Sequence, residues 1–197
     1  MSGRFASYTS DPPLRSLAAL VAAGLFAAAA MPASAQTTAQ ATAQVTILEP
    51  LSLVNTADMN FGRISNVSGG GTVVMAATAS PGCTTTGGLI HSSVCQPAVF
   101  QGLGMPGRNV RLKKVSGNTI TLTGPSSATM TISGVNLGTA PDLTYLSGNP
   151  NSNGFVRYRI DSGSGAFAFR VGGTLNVNAG QAAGVYTGTF AVELNYD

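Results

Sequence analysis

The sequence predicts an all-β chain folded as an antiparallel β-sandwich, and three observations carry that reading. Short runs alternate apolar with polar side chains, the period of a strand with one buried face. Clusters of Gly, Pro, Ser and Asn separate those runs as turns. Beyond the first stretch of the chain no helical period appears, and short strands without helices pack sheet on sheet. Composition agrees. Of 197 residues ten are Lys or Arg, seven are Asp or Glu, 25 are Gly and none is Trp, while 44% are hydrophobic, enough to close a core.

The elements follow in order. Arg4 and Arg15 precede an apolar run over residues 17–30, and Met31, Pro32 and the small residues Ala33-Ser34-Ala35 come next. This is the layout of a secretory signal peptide cleaved before Gln36. The run is shorter than the roughly 20 apolar residues a bilayer span needs. Residues 1–35 are therefore expected to be the leader, and residues 36–197 one exported domain. Residues 38–47 alternate strictly, with Ala39, Ala41, Ala43, Val45 and Ile47 on one side and Thr38, Gln40, Thr42, Gln44 and Thr46 on the other. Pro50, which cannot donate to a ladder, places the apolar residues Leu48, Leu51 and Leu53 at an edge or a crossing between sheets.

Further strands are expected over residues 60–64, 72–78, 98–103, 110–115, 118–123 and 129–137. The polar, turn-rich stretch 139–153 reads as a long surface loop. Strands resume over residues 155–161, 166–171 and 174–177. The last and clearest, over residues 185–196, sets Tyr186, Phe190, Val192, Leu194 and Tyr196 on one face with Gly188.

Cys83 and Cys95 are the two cysteines. In an oxidising compartment the default is a disulfide, whose short loop contributes about 3 kcal/mol in the chain-entropy account. With His91, the sole histidine, they make three candidate metal ligands, too few to close a zinc site from Cys and His.

Catalytic chemistry finds little support. Gly102, Gly104 and Gly107 spell G-x-G-x-x-G, but Pro106 and the strand pattern that follows contradict the helix a dinucleotide loop must open. A serine hydrolase needs a base, and His91 has no G-x-S-x-G elbow beside it. The carboxylates are few and scattered. The reading is therefore of a non-enzyme without cofactor or metal. A formal charge of +3 is too small for a nucleic-acid footprint. Arg108, Arg111, Lys113 and Lys114 cluster, Arg157 and Arg159 project from one face, and Arg170 ends another strand. These are either a contact surface for acidic glycans or lipid headgroups, with Arg157 and Arg159 as the candidate contacts, or charges on a solvated sheet face that discourage edge pairing.

Three stretches, PLSLVNTADMNFGRI (50–64), GTVVM (71–75) and VGGTLNVNAGQAAGVYTGTFAVELNY (171–196), resemble the DUF4402 family of exported bacterial proteins. The C-terminal stretch is also similar to spore coat U-type and chaperone–usher pilin domains. The resemblance implies an immunoglobulin-like sandwich and a structural subunit of a surface filament, with a penultimate aromatic, Tyr196, on its last strand. Its implied partners are a periplasmic chaperone, an outer-membrane usher and further copies of the chain joined head to tail. The implied location is the periplasm and then the cell surface or medium.

Strand exchange gives that role a mechanism. A sandwich lacking one strand exposes apolar pockets beside unpaired backbone, and an extended peptide fills both. Residues 36–47, with Ala39, Ala41, Ala43, Val45 and Ile47 facing the pockets, are the candidate donor, and head-to-tail donation that does not close makes a fibre. The alternative from another class is a monomeric adhesin whose surface binds carbohydrate.

Overall fold

A computed structural model of the chain describes residues 44–45, 50–92 and 94–197. Among them lie thirteen strands and one 3-10 turn, Pro125–Ser127. The strands are β1 (Ser52–Ala57), β2 (Arg63–Ser68), β3 (Gly71–Met75), β4 (Cys83–Thr85), β5 (Gly88–Ser92), β6 (Ala98–Leu103), β7 (Asn109–Lys114), β8 (Ile120–Thr123), β9 (Thr129–Gly138), β10 (Leu143–Ser147), β11 (Val156–Ile160), β12 (Ala166–Val177) and β13 (Val192–Tyr196). Every pairing between them is antiparallel.

The period of two builds the larger sheet around β12. Its sequence AFAFRVGGTLNV buries Phe167, Phe169, Val171, Leu175 and Val177. Its first half pairs with β6 and its second half with β3, while β9 runs along the opposite edge. The seven-stranded sheet reads β1-β6-β12-β3-β4, with β8 paired to β9 beyond β12. The second sheet, β10-β11-β7-β13, turns Val110, Leu112, Tyr158 and Ile160 inward. These side chains join Val73, Met75, Phe100 and Phe169 of the larger sheet in one buried cluster. Two antiparallel sheets thus share one core, as the alternation predicts. Each large aliphatic or aromatic side chain so buried contributes about 1.5–3 kcal/mol. Strands β2 and β5 form a small separate sheet, and the described residues from Pro50 onward group into one compact unit.

Several elements differ from expectation. The loop expected over residues 139–153 contains β10, which pairs with β11 and buries Leu143 alone. The strands expected at 166–171 and 174–177 are one continuous β12. The strand expected over 185–196 is regular only from Val192, so Tyr186 and Phe190 lie outside it. The preceding segment holds just one bridge, Thr187 to Thr123. The cysteine loop contains β4 and β5. Around residues 60–64 the chain makes a bridge at Asn60 and enters β2 at Arg63. Next to Pro50, β1 is an edge strand, in agreement with the position the proline suggests. Of the candidate donor residues, Val45 is described and lies outside any strand, whereas Ala39, Ala41, Ala43 and Ile47 fall outside the described residues.

Candidate functional site: an open apolar groove

The inner faces of β8 and β9 oppose Ile120 to Ile132 and Leu122 to Met130 across the ladder. With Leu175 of β12 and Phe100 of β6 these four side chains floor a groove of about 850 Å³. Ile120, Ile132 and Leu175 are buried within it, whereas Leu122 and Met130 are only partly covered.

One wall is the segment of residues 184–190. Phe190 meets Phe100 edge to face at 6.1 Å, and Phe100 stacks on Phe169 at 5.2 Å, so this wall is anchored to the core through aromatics. The Tyr186 hydroxyl donates to the Ala182 carbonyl at 2.8 Å and accepts from Gln181 Nε2 at 2.7 Å. Thr187 and Thr123 exchange backbone hydrogen bonds of 2.8 and 3.0 Å. Next to that bridge Gly188 lies so close to β8 that a Cβ would run into the Thr121 carbonyl. On either side of Thr187 the wall has no ladder, and Val185 is 80% exposed.

The other wall is residues 59–64. Asn60 exchanges backbone bonds of 2.7 and 2.8 Å with Gln96, and Asn60 Oδ1 accepts from the Gly62 amide at 2.8 Å. His91 Nε2 lies 2.8 Å from the Phe61 carbonyl, which ties β5 to this wall. Cys83 and Cys95 form the expected disulfide, with Cα atoms 5.8 Å apart. It joins the first residue of edge strand β4 to the residue before Gln96, and so fixes the chain that carries the wall.

The remaining C-terminal residues lie beyond the groove. Val192, Leu194 and Tyr196 are half-buried on β13 against the core. The Tyr196 hydroxyl donates to the Pro50 carbonyl at 2.7 Å and accepts from the Met105 amide at 2.9 Å, fastening β13 to the start of β1. The Arg108 guanidinium stands 5.8 Å from the centre of its ring.

Arg157 and Arg159 are exposed on the outer face of the second sheet, as their alternation implies, but each has an acidic partner: Arg157 meets Asp197 at 3.0 Å and Arg159 meets Asp161 at 2.7 Å. Hydrogen bonds from Thr144 and Arg159 hold the Asp161 carboxyl below its usual pKa. Arg111 and Lys113 lie over the Phe155 ring at 4.7 and 5.5 Å. Among the described residues no three His, Cys, Asp or Glu side chains converge. The floor residues Ile120, Leu122, Met130 and Ile132 escape a search for reactive groups. Their signal is the alternation of ITLT and TMTI, which marks one apolar face without saying that it stays uncovered.

The family described as a domain of unknown function, DUF4402, matches residues 51–196. No curated protein and no solved structure matches the chain.

Proposed function

We propose, from the premise that the chain belongs to the DUF4402 family, that it is a structural subunit of a bacterial surface filament whose groove accepts the leading peptide of another copy. The observation that carries this reading is the groove itself: an apolar floor on β8 and β9 beside a wall whose sequence alternates like a strand yet makes one bridge. Unpaired backbone beside the partly covered Leu122 and Met130 is what an added strand satisfies.

Residues 38–47 suit that place. They carry no charge, and their Ala39, Ala41, Ala43, Val45 and Ile47 alternate at the spacing of successive pockets. Ten residues extend about 33 Å. Ladder hydrogen bonds of about 0.5–1.5 kcal/mol each, together with buried methyl groups, would hold neighbours firmly. Export through the periplasm, a chaperone covering the groove beforehand and an usher at the outer membrane complete the proposal.

Purified protein run unboiled in detergent gels should form ladders that collapse on boiling, and deletion of residues 36–46 should abolish them. A monodisperse monomer whose behaviour is unchanged by that deletion would sink the reading.

A further inference from the structure

Arg170 differs from Arg157 and Arg159, each of which has an acidic partner. It lies near the middle of β12, opposite Val99 on one side and Gly138 on the other, and is only partly exposed. Its side chain makes no hydrogen bond or ion pair with another described residue, although its backbone belongs to the ladders. Asp142, just before β10, reaches the same strand, but its carboxylate accepts from the Ala168 amide at 2.9 Å and not from Arg170. A guanidinium carries five donors in a planar fork, and a partly desolvated one without an acceptor is a ready receptor for an anion.

The surroundings form an open cleft. The chain leaving β3 and the chain leaving β9 meet beside Arg170 and border a space of about 410 Å³ that opens to solvent, with Thr78, Ala79 and Ala140 exposed at its rim. They meet because position 138 is glycine: a Cβ there would run into the Ala77 carbonyl. Besides Arg170 the lining offers the hydroxyls of Thr78 and Thr139 and the methyl groups of Ala77, Ala79 and Ala140. Thr78 Oγ1 donates to the Ser80 carbonyl at 3.2 Å and keeps its acceptor capacity. The volume suits one small ring rather than a peptide, and a few convergent polar groups among methyls are the usual make-up of a ligand site.

We propose that this cleft binds a carboxylated monosaccharide, one hexuronate unit of an acidic polysaccharide. Its carboxylate pairs with the Arg170 fork, its hydroxyls meet Thr78 and Thr139, and its C–H face lies on the alanines. Recognition is of one charge and one ring, since the cleft holds one cation. The site is on the larger sheet, away from the paired Arg157 and Arg159, and does not depend on strand exchange.

Titration of the purified protein with glucuronate, glucose and inorganic phosphate, followed by NMR of the Arg170 side chain and the Thr139 amide, tests it. Glucuronate should saturate these signals, glucose should leave them unmoved, and phosphate should bind at least about tenfold more weakly. Arg170→Gln should weaken glucuronate binding about tenfold or more, with Arg170→Lys intermediate, because a lysine offers charge without the fork. Thr139→Val, which keeps the shape, should weaken it severalfold and serves if Arg170→Gln fails to fold. Arg157→Gln should change nothing. The proposal is overturned if glucuronate does not saturate, if phosphate binds as tightly, if Thr139→Val and a folded Arg170→Gln both bind as the parent does, or if Arg157→Gln abolishes binding.

Discussion

Lys114 ends β7 on the core face, where the alternation after Val110 and Leu112 calls for an aliphatic side chain, and it is 4% exposed. The fold accommodates its ammonium with three acceptors: Asn118 Oδ1, the Val135 carbonyl at 2.8 Å and the Pro150 carbonyl at 2.9 Å. One side chain thereby fastens β9 and the 149–153 turn to the second sheet. Lys114→Met keeps the length and removes the donor. It should cost about 1–3 kcal/mol, the range for leaving buried acceptors unmet, and a urea titration reads it. Burial lowers the Lys114 pKa below its ordinary 10.5. In the interval between the folded value and 10.5 the unfolded chain binds more protons, so this group makes stability rise with pH there. The gap between parent and Lys114→Met should therefore widen as pH rises towards 10.5.

At the scale of elements the disulfide and the wall it carries belong together. Replacing Cys83 and Cys95 by Ser should lower stability by about 3 kcal/mol in urea. It should also speed amide exchange at Asn60 and Gly62 more than in β7 or β11, because the bridge restrains the first pair and does not touch the second. The strands that could be read directly are those with both strong alternation and neighbours on two sides: β6 matches its expected bounds at 98–103, and β11 and β9 match within a residue or two. β10 was hidden because an edge strand with Leu143 as its single buried residue carries no alternation, only the polarity of a loop. β4 is too short to show a period. The opposite error occurred at 185–191, where VYTGTFA has the pattern of a strand but finds one bridge, since periodicity reports which side chains want burial and not whether a partner backbone is present. The groove was half legible for the same reason. Tyr186 and Phe190 stood out in the sequence, whereas its floor joins the consecutive strands β8 and β9 to Phe100 of β6 and Leu175 of β12, which lie far along the chain.

For the whole molecule, the proposed strand exchange predicts that an occupant of the groove raises stability. A synthetic peptide of residues 38–47, added to protein lacking residues 36–46, should raise the unfolding midpoint as peptide concentration rises. Binding to the folded form alone stabilises by about 2.7 kcal/mol at a hundred times the dissociation constant. The same peptide with Ala41, Ala43 and Val45 changed to Asp should do nothing.

The Tyr196 hydroxyl on the Pro50 carbonyl closes the sandwich across 146 residues of sequence. No shorter stretch of chain can make that clasp, so it cannot form on a nascent polypeptide until the final strand has been synthesised and released. A topology governed by such distant pairings folds slowly, on the scale of milliseconds to seconds. During that interval the apolar edges are bare and open to aggregation. The time between release and closure is when a folding helper would have most effect on how many molecules reach the native state.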